Sequence, residues 1–127
     1  MKVLFIGGTG TISYNCSKLA IEKGFEVSLL NRGKSTLREP LVGAELISAD
    51  IRQPDTVRQA LGDRHFDVIV EFVAFNPSHI EVDLDLFWGR TNQYIFISSA
   101  SAYQTPPEKL PVTEETPLDN PFWQYSR

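Results

Sequence analysis

Short apolar runs and helix-spaced apolar stripes take turns along this chain. Residues 2–6 form a β-branched, apolar run stopped by Gly7 and Gly8, the texture of a strand covered on both faces. Across 11–23, Ile12, Cys16, Leu19 and Ala20 follow at spacings of four, three and one, which predicts a helix burying those four residues and closed by Gly24. Residues 26–30 and 45–48 then read as strands. A helix is expected over 54–61, with Pro54 in its first turn and Gly62 after it, followed by a strand over 67–73. Ile80, Leu84 and Phe87 mark one face of a helix over 77–89, and 94–98 is the fifth strand. Repeated strand-then-helix order implies an α/β fold. Its parallel sheet needs right-handed crossovers with helices on both faces, and the expected strand order is 3-2-1-4-5.

The texture changes after residue 103, because five of the chain's eight prolines lie between 104 and 121 among Thr, Glu, Asp and Asn. The expected organisation is a core over 1–103 and a proline-rich loop over 104–127 that ends in the start of a further helix. Order is expected to fade after Ala102.

Composition narrows the function classes. With 42% hydrophobic and 22% charged residues, a 127-residue chain supports one packed core and is not a disordered polymer. Twelve Lys and Arg against sixteen Asp and Glu leave a net charge of −4, which opposes a general nucleic-acid binder. Cys16 is the single cysteine, and with His65 and His79 it makes too small a set for a disulfide or a structural zinc site. Both histidines are read as solvent-facing. Asp83 and Asp85, two apart, fall on different helix faces and form no carboxylate pair. The run Val3 to Ile6 is too short for an export signal or a bilayer span, so a cytoplasmic protein without a membrane segment is expected.

The sharpest chemical signal is the stretch from Ile6 through Gly7, Gly8, Thr9, Gly10, Thr11 and Ile12 to Ser13, a glycine-rich turn between a buried strand and a helix. Glycine permits a tight turn and lets a phosphate approach the backbone, while amides at the helix start favour an anion. A dinucleotide pyrophosphate fits there. The second strand ends at Asn31 and Arg32, where a dinucleotide fold that prefers NAD usually presents an acid; Arg32, with Lys34 and Ser35 behind it, suits a 2'-phosphate or is a solvated polar turn. Asp50 and Ile51 follow the third strand, where Asp50 otherwise completes a turn before Pro54.

These motifs, with Tyr94 to Tyr103 and Thr113 to Leu118, resemble the extended and atypical short-chain dehydrogenase/reductases, the NAD-dependent epimerases and dehydratases. The resemblance covers the whole chain and implies a Rossmann-type doubly wound sheet, seen here as the part before the catalytic helix and substrate domain. The family's first turn, T-G-x-x-G-x-x-G, maps onto Ile6, Gly7, Gly10 and Ser13, so its first and last positions depart from the pattern. The resemblance gives Gly7, Gly10, Thr11 and Ile12 to the pyrophosphate, Asn31 and Arg32 to the adenosine ribose, and Asp50 and Ile51 to adenine. It gives Val73 and Ala74 to the nicotinamide ribose, although Val73 to Asn76 also reads as an ordinary strand end with Asn76 capping the next helix. Ser99, four before Tyr103, takes the catalytic serine's place, with Ser98 and Ser101 as neighbouring candidates. Tyr125 takes the place of the tyrosine in Y-x-x-x-K, or is an aromatic anchor beside Phe122 and Trp123; the chain stops before that lysine.

The implied protein is an NAD(P)-dependent epimerase, dehydratase or reductase acting on a small molecule such as a nucleotide sugar, homodimeric in a longer parent, with NADP favoured over NAD. The alternative class is a non-catalytic NAD(P)-sensing regulator or an RNA-associated relative. If Arg32 holds a 2'-phosphate, its contact contributes about 1.5–3 kcal/mol. Arg32→Ala is then expected to erase a preference for NADP of about tenfold or more in a comparative cofactor titration. Equal affinities before the substitution, or an unchanged preference after it, remove Arg32 from that role.

Overall fold

A computed structural model describes residues 1–33 and 39–122. The strands are β1 (Lys2–Ile6), β2 (Glu26–Asn31), β3 (Ala44–Ser48), β4 (Phe66–Glu71) and β5 (Thr91–Phe96), and the helices are α1 (Ser13–Glu22), α2 (Pro54–Leu61) and α3 (Pro77–Phe87). The five strands form one sheet in the order β3-β2-β1-β4-β5, with every neighbouring pair parallel. This is the expected doubly wound order. Phe5 of β1 stands opposite both Leu29 of β2 and Val70 of β4, so β1 runs through the middle of the sheet.

Alternation along the strands divides the core. On one face Leu4, Ile6, Leu30, Ile47 and Ile69 pack with Val57 and Leu61 of α2 and Leu86 and Phe87 of α3. On the other, Val3, Phe5, Val27, Leu29 and Val70 pack with Ala20 of α1.

Four elements depart from the sequence expectation. The buried face of α1 is Ser13, Ser17 and Ala20, while Cys16, Ile12 and Leu19 point outward, the last two at 67% and 52% exposure. Close approach explains the inversion. A Cβ on Gly8 would lie 3.1 Å from Ser17 Oγ, so only small side chains fit between this helix and the strand ends. Ser17 satisfies its buried hydroxyl on the Ser13 and Gly8 carbonyls, at 2.9 and 3.2 Å. In α3 the buried residues are Asp83, Leu86 and Phe87, so of the expected face Phe87 is buried while Leu84 is exposed. The fifth strand starts and ends earlier than its apolar run, because Thr91 and Gln93 pair through their backbones with Phe66 and Val68. Similarly β4 stops at Glu71, since the next turn directs the Val73 N–H to the Glu71 carboxylate and away from a neighbouring strand.

Contacts divide the chain into two compact units, Met1–Ile97 and a second beginning at Ser98. Within the second, a 3-10 turn spans Ala100–Ala102 and the other described residues are irregular. The Gln104 N–H donates to the Pro117 carbonyl at 2.7 Å and the Thr105 N–H to that of Asp119 at 3.3 Å. Asn120, 2% exposed, donates to the Ser101 carbonyl and the Thr105 hydroxyl and accepts from the Phe122 N–H. Hydrogen bonds thus join the described part of the loop as far as Phe122.

The α1 interface gives a direct test. Ser17→Leu is expected to cost at least about 1–3 kcal/mol by overpacking. Leu19→Ser should change stability by less than about 1 kcal/mol, chiefly through helix propensity. Urea denaturation of both variants checks the assignment; a larger loss for Leu19→Ser would restore the apolar stripe as the buried face.

Candidate cofactor site

The glycine turn lies at the end of the central strand. Gly7 has φ 78°, its N–H donates to the Leu30 carbonyl at 3.0 Å, and a Cβ there would fall 2.6 Å from Val73 Cγ1. Only glycine meets both conditions. Gly10 differs, because its φ is not positive and a Cβ would be crowded only by the Ser13 hydroxyl at 3.1 Å.

Ser13, where the family pattern has its last glycine, is 2% exposed. Its hydroxyl donates to the Gly7 carbonyl at 2.6 Å and accepts from the Gly10 N–H at 2.8 Å. The departure from the pattern is therefore a clamp across the turn. The loop enters α1 through Ile12 with no side-chain cap, and the first turn carries no acid, so no carboxylate of that turn neutralises the positive end of the helix.

At the end of β2, Asn31 Oδ1 accepts from the Gly33 N–H at 3.1 Å and holds the turn that carries exposed Arg32. Lys34 and Ser35 lie outside the described residues. Asp50 Oδ1 accepts from the Arg52 N–H at 2.9 Å, so one carboxylate oxygen completes the turn before α2. Ile51, 6% exposed, belongs to the core beneath α2.

Beyond β4, Ala74 is buried and Val73 is held from both sides: its N–H by Glu71 Oε1 and its carbonyl by Arg52 Nη2. Asn76 caps α3 by accepting from the His79 N–H at 3.1 Å. His79 is not a solvent-facing bystander. Burial and the Arg52 charge hold its imidazole below the usual range, and Nδ1 of the neutral ring accepts from the Phe75 N–H at 3.0 Å. His65 is exposed, as expected.

The sequence reading missed a group of acids beneath this turn. Glu71 and Asp83 are both fully buried. Tyr94 donates to Asp83 Oδ2 at 2.6 Å. Glu71 is pushed up to about 8, first by burial and then by Asp83. Asp83 and Asp85 do lie on different faces, with exposed Asp85 paired to Arg58. A charged residue inside the apolar run from Val68 to Ala74 was the available signal.

In the second unit, Ser99 is exposed and begins the 3-10 turn; its Oγ accepts from the Ser101 N–H at 3.2 Å and lies 2.8 Å from Ser101 Oγ. Tyr125 lies outside the described residues.

The model of the "NAD dependent epimerase/dehydratase family" matches residues 3–88. The chain belongs to this family. Among curated relatives, a UDP-glucose 4-epimerase of Lactobacillus helveticus is 28% identical, covering 96% of this chain and 43% of the relative. The chloroplast stem-loop binding protein of 41 kDa b of Arabidopsis thaliana is also 28% identical, covering 93% of this chain and 34% of its own length. The chain thus spans less than half the length of either. UDP-glucose 4-epimerase from Bifidobacterium longum, solved with NAD+ and UDP, superposes with a TM-score of 0.77 at 22% identity, over 94% of this chain and 43% of that one. The likeness is one of fold. No helix among the described residues is long and apolar enough to cross a membrane.

The Ser13 clamp has a measurable worth. Ser13→Ala takes a donor from the Gly7 carbonyl and an acceptor from the Gly10 N–H, and is expected to cost about 1–3 kcal/mol in urea denaturation. A loss below about 0.5 kcal/mol would show that the hydroxyl does not brace the turn.

Proposed function

We propose that this family member is the dinucleotide-binding portion of an NAD(P)-dependent nucleotide-sugar epimerase, dehydratase or related oxidoreductase. The observation that carries the reading is Gly10. Gly7 and Gly8 are explained by packing, whereas Gly10 is exposed, its φ is not positive, and a Cβ there would press only on the Ser13 hydroxyl at 3.1 Å. An exposed glycine ahead of an uncapped helix start suits a pyrophosphate.

In this reading the Gly7 to Ile12 turn, including Gly10 and Thr11, receives the pyrophosphate. Asn31 and Arg32 face the adenosine ribose, and Arg32 gives NADP its advantage over NAD. The second oxygen of Asp50 meets the adenine amino group over Ile51, and Val73 and Ala74 wall the nicotinamide ribose. The bound dinucleotide supplies the hydride acceptor and donor. Ser99 positions the substrate oxygen through its hydroxyl, and Tyr125 exchanges a proton with that oxygen. Tyr125 requires a neighbouring cation, because a free phenol near pKa 10 is ionised to only about one part in a thousand at pH 7. The family's lysine one helical turn later would supply that cation. Substrate choice belongs to parts of the parent beyond these residues. A cytoplasmic homodimer acting on a nucleotide sugar completes the proposal.

The similarity to a stem-loop binding protein motivates a second reading, RNA association without catalysis, which the net charge of −4 opposes. Gly10→Val separates the two. The variant is expected to lose NAD+ and NADP+ binding by calorimetry while keeping a native circular dichroism spectrum. Unchanged cofactor affinity would overturn the assignment of the turn, and RNA binding without dinucleotide binding in the native chain would favour the second reading.

A further inference from the structure

Arg52 joins two parts of the sheet's carboxyl end that are far apart in sequence. It stands between β3 and α2, where its backbone N–H donates to Asp50 Oδ1 at 2.9 Å, and its guanidinium Nη2 donates to the Val73 carbonyl beyond β4. The strand order places β2 and β1 between the ends of β3 and β4, about 14 Å of sheet at the usual spacing. A long side chain closes that gap.

The other supports of the turn after β4 are local to it. Glu71 Oε1 accepts from the Val73 N–H, and His79 Nδ1 accepts from the Phe75 N–H at 3.0 Å. These contacts fix the shape of the turn, and the Val73 side chain is seated beside Gly7. None of them refers to the Asp50 loop. The Arg52 contact does, and a hydrogen bond from a cation to a carbonyl is stronger than one between neutral groups. The same guanidinium charge bears on Glu71 and His79 at either end of the turn.

We propose that Arg52 is a positioning residue, a clasp that sets the spacing between the adenine end of the dinucleotide site at Asp50 and the nicotinamide-ribose wall at Val73 and Ala74. The inference rests on the function proposed above. Arg52 acts through the Val73 carbonyl and not through the dinucleotide itself. With the clasp closed, both walls are in place before the ligand arrives, so less ordering accompanies binding than when the ligand must place the Val73 turn. Only a ligand that reaches both walls benefits. AMP and ADP stop at the glycine turn in this arrangement, whereas NAD+ continues to Val73.

Substitution of the side chain isolates the clasp, because the Asp50 contact uses the backbone N–H of residue 52 and survives. Affinities of the full chain for AMP, ADP and NAD+ are compared by NMR titration in native protein, Arg52→Ala and Arg52→Met, the last keeping an apolar stem without the charge. Both variants are expected to bind NAD+ about threefold to tenfold more weakly while AMP and ADP binding and the urea midpoint stay unchanged. In cofactor-free protein the amide nitrogen shift of Ala74, which reports on the carbonyl that Arg52 holds, is expected to move in both variants. Equal losses for ADP and NAD+ would put Arg52 on the phosphates and overturn the clasp. A lowered urea midpoint with losses for all three ligands would make Arg52 a general structural residue and overturn it likewise. Unchanged NAD+ affinity, or an unmoved Ala74 shift, overturns the clasp while leaving the proposed function standing. A native chain that binds neither AMP nor NAD+ removes the proposed function, and the clasp falls with it.

Discussion

The closeness of neighbouring side chains to the glycine backbone where β1 turns into α1 constrains everything around it. Gly7 adopts a φ that side chains disfavour and lies under Val73, and a Cβ on Gly8 would meet Leu29 Cδ2 at 2.5 Å and Phe5 Cβ at 3.1 Å. This proximity explains why α1 turns serines toward the sheet and apolar residues outward. A helix held this close has no room for leucine, so packing there is achieved with small side chains whose hydroxyls must be satisfied locally. Ser13 and Ser17 do so on the carbonyls of Gly7 and Gly8. The same hydroxyls brace the turn that carries exposed Gly10.

Two glutamates show how position in the sheet decides electrostatic behaviour. Glu45, on β3, is exposed and hydrogen-bonded to Arg64, which holds its carboxyl below the ordinary range. Glu71, on β4, is enclosed beside a second acid and is driven the other way. Solvation and the sign of the neighbour, and not residue type, separate them. Solvent weakens the Arg64 pair, so it contributes little to stability. The buried pair stands at the strand end that carries Val73 and Ala74, where ligand sites of open α/β sheets gather.

The loop after Ser98 obtains its structure differently. Among the described residues it has no regular ladder beyond the 3-10 turn, and one buried amide, Asn120, joins three separated points of the backbone and side chains. A chain rich in proline lacks some backbone donors, so a side-chain amide carrying both donors and an acceptor substitutes for them. That network explains how an irregular segment can present Ser99 and Ser101 in a defined turn.

The sequence by itself determined the alternation of elements, the strand order and the glycine turn, because each rests on periodicity or on conformational limits local to the chain. It also carried the Asn76 cap, a contact within three residues. Tertiary structure decided which faces are buried. The Ile12, Cys16 and Leu19 stripe has correct helical spacing, yet the distance to the neighbouring strand rejects it, and spacing contains no information about that distance. The Glu71, Asp83 and Tyr94 cluster was likewise invisible, since its members come from β4, α3 and β5 and meet only when the sheet and its covering helix are assembled. Asp83 read alone is a polar residue on a helix; only the assembled fold buries it and gives it the Tyr94 hydroxyl as a donor.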